Sequence, residues 1–125
     1  MEENRHYPRV ILGVEDGYFG NFKLPNQASM VASIVNVSAG GMNMAVPEKS
    51  TSVISQGDVI LLRNIAGATN LAFLEDVQAE IRWIEQQDLP GYFSVGCLFI
   101  DLSEPLREQI IRFVDSERIA RGQYD

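Results

Sequence analysis

The sequence predicts a mainly β protein, an antiparallel sheet that closes into a barrel and is followed by one C-terminal helix. Three observations lead there. Short apolar runs recur with turn residues between them, and no helical period intervenes before the end of the chain. Val77-Gln78-Ala79-Glu80-Ile81-Arg82-Trp83 alternates, with Val77, Ala79, Ile81 and Trp83 on one face, the pattern of a half-buried antiparallel strand. From Ser103 the period changes, and Leu106, Ile110, Phe113 and Val114 fall on one helical face that closes an end or a side of the barrel.

The elements follow in chain order. Pro8 has no amide hydrogen and biases Tyr7 away from the helical region, so residues 1–9 read as an extended arm entering a first strand, Val10-Ile11-Leu12-Gly13-Val14. Asp16-Gly17 is a hairpin signal before the aromatic run from Tyr18 to Leu24, which Pro25-Asn26 closes. Met30 to Val37 makes the next strand. Met42 to Val46 is a short one stopped by Pro47, and residues 48–52 form a surface loop. Gln56-Gly57-Asp58 turns the chain into a buried strand, Val59 to Leu62, and the glycine-bearing segment 64–70 is another turn. Leu89-Pro90-Gly91 marks the turn into the last strand, residues 92–100, with Phe93, Val95, Cys97 and Phe99 on one side. Ser103 caps the helix, whose first turn holds Glu104 and Pro105, and Gly122 stops it. The expected division is an arm over 1–9, a barrel over 10–102 and a helix over 103–122, all in one domain.

Composition narrows the function. A chain of 125 residues with 46% hydrophobic and 22% charged content can bury a core without disulfides or metals, and it is not of the disordered class. A net charge of −7 opposes non-specific binding to DNA, RNA or an acidic membrane, so any nucleotide must be held by a local basic patch. The lone Cys97 lies in an apolar strand and reads as a small core residue. No apolar run approaches the roughly 20 residues of a bilayer span, and Met1-Glu2-Glu3-Asn4 does not resemble a signal peptide; the expectation is a cytoplasmic protein with no membrane insertion. No serine nucleophile elbow or lysine-bearing phosphate loop appears, and a single His without a ligand cluster gives no metal site. No catalytic residue, metal or cofactor is expected.

One stretch stands out chemically: Ile34-Val35-Asn36-Val37-Ser38-Ala39-Gly40-Gly41-Met42. Asn36 and Ser38 are two apart in an extended run and so share a face. Gly40 and Gly41 permit a tight turn with main-chain amides uncovered by side chains. Arg5 and Arg9 also share a side of the extended arm. Guanidinium groups grip phosphate, or guanine by its O6 and N7, and a polar strand end beside them suits a planar anionic partner such as a guanine nucleotide. The plainer alternatives are a solvated arginine arm and local turn chemistry, because Asn and Ser readily bond nearby backbone. Tyr7 packs either on the barrel or on a base.

These residues resemble the PilZ domains, bacterial receptors for cyclic di-GMP. The family pattern is Arg-x-x-x-Arg followed further along by Asp/Asn-x-Ser-x-x-Gly, matched here by Arg5, Arg9, Asn36, Ser38 and Gly41; a looser feature, Gly-x-x-Phe before the final helix, is matched by Gly96 and Phe99. The resemblance implies a six-stranded barrel plus C-terminal helix, cyclic di-GMP as ligand, and Arg5, Arg9, Asn36, Ser38, Gly40 and Gly41 as its site. It adds Trp83, since family members often lay an aromatic near this strand end against a guanine, although its place on the apolar face argues for a core role. Asn36 in place of Asp leaves only one carbonyl acceptor for guanine's donors. Asn4, where an additional arginine accompanies an intercalated ligand dimer, implies a single ligand per chain. The implied function is a receptor that orders its N-terminal arm on binding and signals to an effector protein in trans; the alternative is a PilZ-like adaptor that binds no nucleotide.

Overall fold

Alternation along the strands decides which side chains meet inside, and the pairing between strands decides what shares the outside. The computed structural model describes residues 7–67, 69–86 and 90–123. Seven strands form one antiparallel sheet: β1 (Arg9–Ile11), β2 (Phe19–Lys23), β3 (Ser29–Ser38), β4 (Gly41–Pro47), β5 (Val59–Ala66), β6 (Val77–Gln86) and β7 (Tyr92–Ile100). β3 pairs with β4 on one edge. On its other edge it pairs with β2 and, further along, with β1. The ring β3-β2-β5-β6-β7-β4 therefore closes as a six-stranded barrel, and β1 continues the line of β2. Ile34, Val37, Met42, Met44, Ile60, Leu62, Ile81 and Val95 fill the inside, each no more than 2% exposed.

Asp16-Gly17 does not make the expected hairpin. Val14–Asp16 is a single turn of 3-10 helix in which the Asp16 carboxylate accepts from the Gly13 amide at 2.7 Å, and β1 and β2 both lie along β3 instead of pairing with each other. β5 also runs further than the sequence suggested. Ile65 is buried, and Asn64 accepts from the Asn21 amide across the sheet at 2.7 Å, so the segment expected to turn at residue 64 is still strand. Residues 48–53 form a 3-10 turn.

The final helix, α1 (Glu104–Ala120), starts where the sequence predicts, with the Ser103 hydroxyl accepting from the Leu106 amide at 3.4 Å. Its buried Ile110, Phe113 and Val114 pack it toward β1 and β3. Gly122, with φ +69°, lets the chain leave the helix, and Gln123 then meets the open edge of β1: the Ile11 amide donates to its Oε1 at 2.8 Å while its Nε2 donates to the Ile11 carbonyl at 2.9 Å. A side-chain amide thus covers a strand edge that would otherwise offer unpaired backbone groups. Arg121 reinforces the closure by bridging Asp16 at 2.9 Å and Glu117 at 2.8 Å. Its bond to Asp16 holds that carboxyl below the usual carboxylate range. Among the described residues, no helix is long and apolar enough to cross a membrane.

Candidate functional site

The outer face of the barrel from β1 to β6 carries two rows of residues, both set by register. In the first, Arg9 stands directly across from Ser38. In the second, Ile11 faces Asn36, Asn36 faces Asn43, Asn43 faces Gly96 and Gly96 faces Trp83. Directly opposed residues in an antiparallel pair have Cβ atoms about 5 Å apart on the same face. The arm arginine and the Asn36/Ser38 pair, 27 residues apart between Arg9 and Asn36, are therefore brought together by a three-residue strand. Arg5 lies outside the described residues.

Two irregularities shape the second row. The β3–β4 register shifts between Ile34 and Asn36, so Val35 is an extra residue and Asn36 emerges on the outside between buried Ile34 and Val37. The β6–β7 register shifts between Ile81 and Trp83. Strict alternation groups Trp83 with Ile81 on the core face, and this grouping is what the structure corrects. Arg82 is the extra residue; Ile81 pairs with buried Cys97, but Trp83 pairs with Gly96, one step along, and so turns outward. The indole lies on Gly96, where a Cβ would overlap its six-membered ring and Nε1. Glycine at 96 is thus what lets a half-buried aromatic plate lie flat on the sheet beside Asn43.

The Ser38–Gly41 turn is built differently from the sequence expectation. Neither Gly40 nor Gly41 adopts positive φ, and their amides are not bare: both donate to the Ser38 hydroxyl oxygen, at 3.1 and 3.3 Å. Gly41 is required for a close approach, since a Cβ there would overlap the Cys97 carbonyl, whereas Gly40 has room for one. Ser38, 8% exposed, has both lone pairs committed to these amides, so what remains to it is the hydroxyl hydrogen, a donor. Tyr7 packs on the barrel, next to Gly40, with the Arg107 guanidinium 5.5 Å from its ring centre. Arg107 also donates to the Ala39 carbonyl at 3.1 Å, tying α1 to the turn. Sequence reasoning had no local signal for Arg107.

Asn43 also escaped it, although a polar residue between buried Met42 and Met44 is an outward-facing position by simple alternation. Asn36 and Asn43 are both half-buried, and among the described residues neither side-chain amide is engaged in a hydrogen bond. Beneath this face, burial pushes the Cys97 thiol up to about 12, which leaves it an unreactive part of the core. Among the described residues no group of three or more His, Cys, Asp or Glu side chains could hold a metal.

The described residues thus make a β-barrel module, a closed antiparallel barrel with a C-terminal helix packed on it and a polar outer strip ending in a half-buried aromatic. The chain belongs to the PilZ domain family, whose model matches residues 3–116. Among solved structures it is similar to the PilZ domain of YcgR from Escherichia coli with c-di-GMP (TM-score 0.76, 19% identity, covering 97% of each chain). It is similar too to the MrkH–c-di-GMP complex of K. pneumonia (TM-score 0.76, 15% identity, 98% of this chain and 56% of that one). The Bacillus subtilis inhibitor of motility MotI/DgrA matches with TM-score 0.66 and 11% identity, over 95% of this chain and 53% of that one. At these identities the likeness is one of fold, and this chain spans about half the length of MrkH and of MotI/DgrA. The sequence matches no curated protein.

Proposed function

We propose that this chain is a receptor for cyclic di-GMP and that Arg5, Arg9, Asn36, Ser38, Gly40, Gly41 and Trp83 form its site. The observation that carries the reading is the register of β1 on β3, which sets Arg9 beside Ser38 and next to the row that runs from Asn36 to the half-buried indole of Trp83. Each part has a chemical task. Arg9 and Arg5 neutralise the phosphates, which the acidic chain would otherwise repel. Ser38, left with only a hydrogen to give, donates to a phosphate oxygen or a base acceptor. Gly40, with no side chain, leaves room for the ligand to approach the main chain, and Gly41 holds the turn close against β7 beneath it. Trp83 offers its face to one guanine.

The three-dimensional matches to YcgR and MrkH with c-di-GMP support the choice of ligand. Binding is proposed to order the arm around Arg5 over a face on which Tyr7 and Arg9 are already seated, and the altered surface to signal to an effector protein in trans. One ligand per chain is expected.

Calorimetric titration of cyclic di-GMP into the protein, beside Arg9→Ala and Trp83→Ala, tests the reading. Micromolar or tighter binding corresponds to about −8 kcal/mol, and loss of one charge-assisted contact should cost roughly 1.5–3 kcal/mol. Hydrogen exchange with saturating ligand should show added protection around Arg5; unchanged exchange there would sink the arm-ordering step alone. A folded parent that gives neither heat nor a thermal shift would hand the lead to the adaptor reading.

A further inference from the structure

The row that links Asn36 to Trp83 contains a second amide. Asn43 stands between them, opposite Asn36 on one side and opposite Gly96, under the indole, on the other. We infer that Asn43 is a base-reading residue, its carboxamide oxygen accepting from the guanine that lies on Trp83, and that it supplies the acceptor the site lacks through having Asn rather than Asp at position 36. This inference rests on the cyclic di-GMP reading and deepens it.

A guanine held in this row needs acceptors for its donors as well as donors for its acceptors. Guanine has donors at N1 and at its 2-amino group as well as acceptors at O6 and N7. The neighbouring groups are rich in donors: the Arg9 guanidinium, the Trp83 Nε1 and the Ser38 hydroxyl, whose lone pairs are already taken by the amides of Gly40 and Gly41. Acceptors are scarce. In the row itself only the side-chain oxygens of Asn36 and Asn43 can accept, and among the described residues neither is used by the protein. A carboxylate at 36 would present two oxygens to the two donors; one carboxamide presents one. Asn43, one strand spacing away at about 4.8 Å, provides the other. It is also the amide nearer the indole, so a base resting on Trp83 meets Asn43 before Asn36. A buried donor left without an acceptor would cost far more than a neutral contact gains, so the second oxygen matters to affinity and to base identity.

The test combines a protein variant with a ligand variant. Asn43→Leu keeps the branched shape and heavy-atom count of the side chain and removes its hydrogen bonding; Asn43→Ala guards against a packing artefact. Each is titrated with cyclic di-GMP and with the inosine analogue of the same dinucleotide, which lacks the 2-amino group, and Trp83 fluorescence reports that the base still reaches the indole. The parent should prefer the guanine ligand. Both variants should bind it about tenfold more weakly, with unchanged thermal midpoints, and should lose much of that preference, because the amino group no longer has its partner. Variants that keep the parent's affinity, or that weaken but retain the full guanine-over-inosine preference, would overturn the inference while leaving the receptor reading intact. A parent that binds neither dinucleotide overturns both.

Discussion

The two faces of the same strands obey different rules. On the inside of β3, β4, β7 and β6, Val37, Met42, Cys97 and Ile81 follow one another in register at no more than 5% exposure. One residue away along β3, β4 and β7, and two along the bulged β6, Asn36, Asn43, Gly96 and Trp83 form an outer row of amides, a glycine step and an aromatic plate. The inner face gains its stability from apolar area removed from water and tolerates no gap. The outer face has little to pack against, so its side chains are free to be chosen for chemistry. The two bulges, at Val35 and Arg82, are the joints between these regimes, since each moves a side chain relative to the face that alternation would give it.

The contrast can be broken most forcibly from the inside. Ile81→Ala removes a fully buried side chain and should cost about 2–5 kcal/mol by denaturant unfolding. Trp83→Ala, two positions on, should cost much less stability and should abolish the fluorescence signal, since Trp83 is the single tryptophan. Equal losses in the two variants would mean that the bulge does not separate the faces. Gly96→Ala attacks the outer row directly. Its Cβ collides with the indole, so an overpacking cost of about 1–3 kcal/mol is expected together with a shifted Trp83 emission and weakened ligand binding.

Ser38→Ala probes both roles at once, because Ser38 holds the turn and faces the proposed site. Removing the oxygen that accepts from Gly40 and Gly41 should destabilise the fold by about 1–2 kcal/mol even without ligand, as read by thermal unfolding. An unchanged midpoint would make its role one of ligand contact alone. The smallest effect belongs to Cys97 on the inner face. Its folded thiol is raised to about 12 from an ordinary 9.0, so the stability it lends as a neutral group is complete below pH 9.0 and declines as the pH rises above it. At pH 10 the decline should be about 1 kcal/mol, and it should be missing in Cys97→Val measured side by side.

Much of this was legible from residues alone. The alternation of Val77, Ala79 and Ile81, the helical face of Ile110, Phe113 and Val114 and the Ser103 cap are local patterns, and local patterns fix element type and inward-facing residues. Arg9 and the Asn36-Val37-Ser38 segment were recognisable as a pair by their types and order. Their meeting was not, because a turn at Asp16-Gly17 is equally consistent with a β1–β2 hairpin, and the choice of β3 as the partner of β1 depends on how the whole barrel closes.

The order of residues alone thus sets the membership of each face within a regular strand, together with the chemistry available to the site: two arginines, an amide–hydroxyl pair, two glycines. The outward turn of Trp83, the row that joins it to Asn36 through Asn43, the engagement of the Gly40 and Gly41 amides by Ser38, and the closure of the β1 edge by Gln123 arise only from the folded arrangement of the strands. The reason is physical. Periodicity is a property of one strand, but a bulge is a mismatch between two, and a side-chain amide can serve as the missing neighbour of a strand edge 112 residues away only once the fold has brought them together.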